Sequence, residues 1–338
     1  MKLPADKVSR LRTFYEGRQV LVTGGAGFIG GHLVDALFGV GAIVTVIDDL
    51  SNSSLEHLSS LIEMDPDRVR FVHGSILDDD ALRVAGKDAQ VIFHLAAMGS
   101  VPRSIEQPQR AWSVNATGTL RVLEMARAVG ASRVVFAASS SAYGDASELP
   151  RIETHLPRVI SPYAASKLSG EHLCTSWSQT YGLSTLSLRF FNIFGPRQPG
   201  DSAYAGVVPA FIRAYLNQEP PVIYGDGAAT RDFTFVSNAV LALLSGGSST
   251  AKLMGQSVNI GAGRRTSILE LATALAESCG VPHIQPIFKP VRTGDVKHSQ
   301  ADIAAAKALI GYEPIASLAE GLAETVHWSR RVLAGKDA

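Results

Sequence analysis

Cysteine, net charge and long apolar runs are all scarce in these 338 residues. The two cysteines, Cys174 and Cys279, are too few for a disulfide framework or a cysteine-rich zinc site. That usage fits a reducing, cytoplasmic setting. Neither sign of charge is in excess: 31 Lys+Arg stand against 31 Asp+Glu. No surplus of cations is available to neutralise nucleic-acid phosphates. Charged residues make up 18% and hydrophobic ones 46%, the reverse of a disordered profile. Residues 1–18 lack the apolar core of a signal peptide. The most apolar stretch, 20–34, falls short of the roughly 20 residues a membrane span needs and is crowded with glycines. The nine histidines show no metal-ligand spacing, so no metal is expected. What remains is a soluble chain, with neither nucleic acid nor membrane as a partner. At about 100–200 residues per domain, it holds one large domain or two joined ones.

Short apolar runs at 20–23, 43–47, 69–72, 91–94 and 134–138, with a sixth candidate at 183–190, read as buried strands. Helical periodicity lies between them, at 30–40 and 111–129. Strands alternating with helices predict an α/β fold with a doubly wound, Rossmann-like parallel sheet. After Asn192 the rhythm changes. A helix at 208–216, a short strand at 222–224 and a helix-dominated stretch from 268, broken by a Pro-rich strand region at 282–290, predict a smaller C-terminal α+β domain. The Ser/Gly run 245–250 reads as an exposed loop. The expected division is 1–190 for the first domain, with 231–260 returning to it, and 191–230 plus 261–338 for the second.

Gly24-Gly25-Ala26-Gly27-Phe28-Ile29-Gly30 follows the first strand and opens a helix. Glycines there let the backbone approach a pyrophosphate, which then rests on free N–H groups at the helix N-terminus. The pattern alone also suits a tight turn. Asp48, ending the second strand, gives it meaning: an acid there accepts hydrogen bonds from a ribose diol and repels a 2′-phosphate, favouring NAD over NADP.

Ser161-Pro162-Tyr163-Ala164-Ala165-Ser166-Lys167 starts a second informative segment. Ser161 suits a helix cap and Pro162 its first turn. Tyr163 and Lys167 then share one helix face. A free phenol, with a pKa near 10, is a poor base at neutral pH. A nearby ammonium and a cationic nicotinamide would lower it. A lone Tyr–Lys pair is commonly surface. Ser139-Ser140-Ser141-Ala142-Tyr143-Gly144, at the end of the fifth strand, supplies a hydroxyl where ligand crevices form in such sheets.

Together the glycine turn, the serine run before Tyr143-Gly144 and the Tyr163/Lys167 pair resemble the extended short-chain dehydrogenase/reductase superfamily, over nearly the whole chain. Within it the chain most resembles the UDP-hexose 4-epimerases. His94-Leu-Ala-Ala-Met-Gly-Ser-Val-Pro-Arg-Ser104 is similar to the branch acting on UDP-N-acetylglucosamine and its uronic acid. The resemblance implies Tyr163 as base, Lys167 as its electrostatic partner and Ser139 as the hydroxyl on the sugar O4. It places Gly24, Gly27, Phe28, Ile29, Gly30, Asp48, Asn52, Ser53, Ser75, Ile76, Leu95, Ala96 and Ala97, with Tyr163 and Lys167, around NAD. Ser75 stands where the family usually carries an Asp toward adenine. Related dehydratases carry an Asp-Glu pair after the catalytic hydroxyl, and related decarboxylases a Glu nearby. Ser140 and Ser141 in those places favour simple 4-epimerisation through a 4-keto sugar.

For the substrate, the resemblance implies contacts from Gly99, Ser100, Ser140, Ser141, Asn192, Val222 and Tyr224. It implies phosphate and ribose contacts from Arg231, Arg292 and Asp295. Arg197 and Gln198 lie in a loop facing the sugar, where they could meet a C6 carboxylate. Ser299 and Gly99 are small where glucose-specific relatives carry bulk, which favours an N-acetylated UDP-hexosamine. UDP-glucose/UDP-galactose and UDP-uronic acids are the alternatives, as is a non-catalytic NAD-binding sensor. The resemblance also implies a homodimer that pairs helices 111–129 and 162–181 into a four-helix bundle.

Overall fold

The computed structural model describes residues 4–199, 206–291 and 296–335. Seven strands form the central sheet: β1 (Gln19–Thr23), β2 (Ile43–Asp48), β3 (Val69–His73), β4 (Val91–His94), β5 (Arg133–Ser139), β6 (Thr185–Phe190) and β7 (Gln256–Ile260). Their order is β7-β6-β5-β4-β1-β2-β3, and every pairing is parallel. The order reverses between β1 and β4, the place where doubly wound sheets open a crevice beyond their carboxyl ends. Val20, Val22, Val91, Phe93 and Val135 feed one apolar core, while Leu21, Ile92, Val134 and Phe136 feed another. Helices cover both faces, which is why these strands read as unbroken apolar runs.

Helix Phe28–Gly39 and helix Val236–Ser248 pack together on the first core. Helices Gly118–Ala128 and Pro162–Tyr181 cover the second, with Leu123 and Cys174 buried in it. The expected single helix at 111–129 is interrupted: Ser113–Thr117 forms a π-helical turn between Pro108–Trp112 and Gly118–Ala128. An additional helix, Ala5–Tyr15, docks on the first core through Tyr15, whose hydroxyl donates to the Leu244 carbonyl at 2.7 Å.

The expectation of a loop at 245–250 is wrong as far as Ser248, which belongs to helix Val236–Ser248. Gly246 and Gly247 are buried there because larger residues would not fit. A Cβ on Gly246 would lie 2.8 Å from Leu186 Cδ2, and one on Gly247 2.7 Å from Phe93 Cζ. Composition reads such glycines as loop; packing uses them to bring a helix close to the sheet.

After β6 the chain adds helices Val207–Leu216, Ile268–Ser278, Ala304–Ile310 and Leu318–Leu333 and three two-stranded pieces. Ile193–Phe194 pairs with Thr234–Phe235, Thr230–Arg231 with Thr266–Ser267, and Val222–Tyr224 with Ile287–Lys289. Among the described residues, no helix is long and apolar enough to cross a membrane.

Candidate active site

Parallel register brings the candidate residues to one edge. Thr23 pairs with His94, His94 with Phe136, and Ser139 with Phe190. The segments that follow these strands, Gly24–Gly30, Leu95–Ala97, Ser140–Tyr143 and Asn192, therefore leave the sheet at the same end. Asp48 pairs with His73, which places Gly74, Ser75 and Ile76 beside them.

The glycine turn fits a pyrophosphate. Helix Phe28–Gly39 starts at Gly27 with no side-chain cap, so its first-turn N–H groups stay available to an anion. Gly24 has φ +72°, and a Cβ there would lie 2.6 Å from Ala96 N. A Cβ on Gly30 would run into the Gly24 carbonyl oxygen. Asp48 is fixed at this turn: Oδ2 accepts the Ala26 N–H at 3.0 Å, while Oδ1 accepts the Leu50 N–H at 3.0 Å and the Ser53 hydroxyl at 2.9 Å. Asn52 accepts from Arg103 at 3.3 Å. Ser75 Oγ accepts the Leu77 N–H at 3.2 Å, and Ile76 is buried against Gly118.

Ser161 caps helix Pro162–Tyr181 by accepting the Ala164 N–H, and Pro162 occupies its first turn. The Tyr163 backbone N–H donates to Ser104 Oγ at 3.1 Å, and its phenol lies near Ser139. Ser139 Oγ also accepts from the Ser141 hydroxyl at 2.9 Å and the Ser141 N–H at 3.2 Å. Lys167 is buried, its Nζ 4.3 Å from the centre of the Phe136 ring. Burial pushes Lys167 down to about 8, with Cys174 and Glu171 opposing. The expected lowering of Tyr163 does not come from the protein alone. Desolvation pushes the phenol up, and the nearby Ser139 only partly offsets it. His94 is packed between Thr23 Oγ1 at 2.7 Å and Thr119 Oγ1 at 2.9 Å.

The second half places Arg231 at the Thr230–Arg231 strand, where Nη1 donates to the carbonyls of Thr230 at 3.0 Å and Lys297 at 3.3 Å. The Ser299 N–H donates to Thr230 O at 3.1 Å, which brings Ser299 to the same strand. Val222 and Tyr224 lie on the neighbouring short strand. Asn192, Gly99 and Ser100 sit on loops at the strand ends; Ser100 caps helix Val101–Glu106, and a Cβ on Gly99 would meet open space. Arg292 and Asp295 lie outside the described residues.

Arg197, expected in the loop facing the sugar, donates to Asp35 at 2.5 Å and to His32 Nδ1 at 2.7 Å, both on helix Phe28–Gly39. His32 Nε2 in turn meets Pro196 O at 2.9 Å. A carboxylate and a neutral imidazole on the adjacent helix satisfy the cation locally. Gln198 turns inward as well, donating to Ile193 O at 3.2 Å.

Two features near the site escaped sequence reasoning. Asn115, in the π-helical turn, accepts the Met98 N–H at 2.8 Å and donates to Ser166 at 3.0 Å, tying the loop after β4 to the Tyr163 helix. Glu171 forms a buried pair with Arg189, 2.7 Å apart. Its signal was present: residues 163, 167 and 171 follow one helix face.

The fold and this edge define a dinucleotide-binding enzyme of the doubly wound class. Comparison with known proteins agrees. The model of the NAD dependent epimerase/dehydratase family matches residues 20–261. A UDP-glucose 4-epimerase from Mycolicibacterium smegmatis is 40% identical over 314 residues, covering 92% of this chain and 98% of that protein. The structure of a UDP-N-acetylglucosamine 4-epimerase from Methanobrevibacter ruminantium, in complex with UDP-N-acetylmuramic acid, superimposes with a TM-score of 0.87. It is 36% identical and covers 94% of this chain and 99% of its own. A UDP-glucuronic acid 4-epimerase from Bacillus cereus, solved with NAD and a fluorinated UDP-glucuronic acid, gives a TM-score of 0.85 at 30% identity, over 93% and 99%. The chain belongs to the NAD dependent epimerase/dehydratase family, and it is an NAD-dependent enzyme.

Proposed function

We propose that the chain interconverts UDP-hexoses at C4, with UDP-GlcNAc and UDP-GalNAc as the favoured pair. One observation carries the reading: Ser139 lies close enough to the Tyr163 phenol to counter the effect of its burial, with Lys167 one helical turn on, while Ser140 and Ser141 follow where a dehydratase needs carboxyl groups. Bound NAD supplies a reversible hydride acceptor for C4. Tyr163 takes the O4 proton and returns it after the 4-keto sugar has turned its other face. Ser139 holds O4 by a hydrogen bond. The Lys167 ammonium, one helical turn on, favours the phenolate electrostatically. Gly24, Gly27, Phe28, Ile29 and Gly30 hold the cofactor pyrophosphate, Asp48 its ribose, and Ser75 the adenine side. Arg231, with Arg292 and Asp295, grips the UDP.

The domain division follows from these roles: 1–190 with 231–260 for NAD, 191–230 and 261–338 for the nucleotide sugar. The working form is a homodimer in the cytoplasm. The small residues Ser299 and Gly99 favour the 2-acetamido sugars, and the 36% identical UDP-N-acetylglucosamine 4-epimerase structure supports that choice. Incubation with UDP-GlcNAc, UDP-Glc and UDP-GlcA, followed by separation of the 4-epimers, tests the proposal. Fastest conversion of UDP-GlcNAc is expected. Fastest conversion of UDP-GlcA would assign the uronic-acid alternative, and no epimer from any of the three would leave a non-catalytic NAD-binding protein.

A further inference from the structure

A buried polar network lies behind the catalytic face. Glu171 accepts from Arg189 through both oxygens, from Nε at 3.0 Å and Nη2 at 2.7 Å, and from the Ser257 hydroxyl at 2.9 Å. Arg189 Nη1 donates to the Tyr143 hydroxyl at 2.9 Å, which donates to Asn259 Oδ1 at 2.7 Å. Glu171, Arg189, Tyr143 and Asn259 are all buried. Tyr143 ends the tight turn Ser140–Tyr143 that begins directly after Ser139. The network therefore joins the helix carrying Tyr163 and Lys167 to the turn that follows Ser139, through β6 and β7.

Glu171 also stands one helical turn beyond Lys167 on the same face. Among the described residues Lys167 makes no ion pair, and its Nζ rests on the Phe136 ring of β5. None of the other titratable groups around it adds a negative charge near neutral pH. On its own helix, Cys174 is pushed up to about 12 by burial and stays a thiol, and the Tyr163 phenol is pushed up. From β4, His94 is pushed down to about 3, by burial and then by Lys167 itself, and stays neutral. The Ser113–Thr117 turn contributes uncharged Asn115, bonded to Ser166. From β6, Arg189 is a cation already occupied by Glu171 and Tyr143.

We propose that Glu171 is a positioning residue for the reaction: paired with Arg189, it locks the Tyr163/Lys167 helix to the turn after Ser139, and its charge keeps the Lys167 ammonium protonated. The proposal rests on the reading that Tyr163, Lys167 and Ser139 perform the chemistry. A carboxylate one helical turn from a buried ammonium favours the charged form, so removing it lowers the pH at which the ammonium is lost. Shortening it keeps the charge and loosens the lock.

Heteronuclear NMR of the purified NAD-loaded protein labelled with ¹³C-lysine, recorded across pH 6–10 with the Lys167 Cε signal assigned through Lys167→Met, reports that ammonium without any turnover. The wild-type midpoint is expected near 8. Glu171→Gln should lower it by about one pH unit, and Glu171→Asp should hold it within about 0.3. The alkaline limb of kcat/KM for UDP-GlcNAc should move with the midpoint. Equal midpoints in wild type and Glu171→Gln would overturn the charge assignment, as would an Asp variant that moves as far as Gln. If Glu171→Gln does not fold, Glu171→Asp decides: kcat lower by about tenfold or more, with KM within about twofold, supports the lock, whereas wild-type kcat overturns it. Failure of wild type on all three UDP-sugars would remove the epimerase reading, while the midpoints would still decide whether Glu171 sustains the Lys167 charge.

Discussion

Between Gly24 and Gly30 the chain offers backbone: an uncapped helix start and glycines packed against Ala96 and each other. At Thr230–Arg231 it offers a guanidinium, braced by two carbonyls on a two-residue strand. The difference follows from what lies underneath. A parallel sheet whose central strands are buried on both faces holds the turn where N–H groups alone would meet the proposed diphosphate. Two-stranded pieces cannot hold backbone with that accuracy, so a charged fork must reach for its target. The same contrast separates constancy from choice. The backbone turn leaves little to vary, whereas the side chains of the second half, Ser299 among them, can be exchanged without disturbing the sheet.

Tyr163→Phe stands outside the contrast and sets its scale. It removes the proposed proton acceptor and leaves both proposed anchors in place, so turnover of UDP-GlcNAc should fall by about 10²–10⁴-fold. The NAD content of the purified protein, read from its absorbance after extraction, should stay at the wild-type level. Retained turnover would mean that another group takes the O4 proton.

The two anchors can then be broken separately. Gly30→Ala drives a methyl into the Gly24 carbonyl. The turn must open, at a cost of about 1–3 kcal/mol of stability, and bound NAD should be largely lost. Arg231→Ala should leave NAD content and melting temperature near wild type while raising KM for the UDP-sugar by about tenfold or more, the loss of a charge-assisted contact. Loss of NAD from the Arg231 variant, or a changed KM with full NAD content from the Gly30 variant, would show that the anchors are not independent.

Proton linkage also differs between regions, and in opposite directions. Burial pushes His32, on the cofactor helix, and His94, on β4, down to about 3. Between their ordinary 6.5 and about 3 the unfolded chain takes up protons that the folded chain refuses. Their contribution is whole above 6.5 and is lost as pH falls, by up to about 1.4 kcal/mol per pH unit each. Beside Arg231, burial pushes Asp232 up to about 6, with N–H donors from Ala301, Ala262 and Gly263 holding it back. Its contribution is whole below 3.8 and is lost as pH rises through 6. Urea unfolding at steps from pH 4 to 7.5 should give a shallower acid slope for His94→Gln and a steeper one for Asp232→Asn, because the aspartate partly cancels the histidines. Unchanged slopes would refute these linkages.

The contrast also decides what the sequence could reveal. β1 to β5 were legible because strands buried on both faces leave apolar runs, and the glycine turn because its residues serve backbone needs that only glycine meets. Side-chain partnerships across long separations were not legible. Arg197 sits in a loop that the family resemblance assigns to the sugar, yet it meets Asp35 and His32, far earlier in the chain. Gly246 and Gly247 read as loop because nothing local announces Leu186 and Phe93 above them. Glu171 lay in plain view on the Tyr163/Lys167 face, but an acid there is read as exposed until Arg189 is seen to meet it.

The smallest expected effect concerns choice rather than rate. Ser299 is partly buried beside Thr230, with its backbone held by the Thr230 carbonyl. Ser299→Tyr would add a ring where the proposed 2-acetamido group lies and leave the backbone bond intact. A steric penalty of about 1.4 kcal/mol on one substrate only corresponds to roughly tenfold in relative kcat/KM. The ratio for UDP-GlcNAc over UDP-Glc should therefore drop by about that factor, with Tyr163-dependent turnover of UDP-Glc preserved. An unchanged ratio would move the determinant of sugar size away from this strand. The loops at Gly99 and Ser141 would then become the place to look, and substrate choice would belong to the cofactor half.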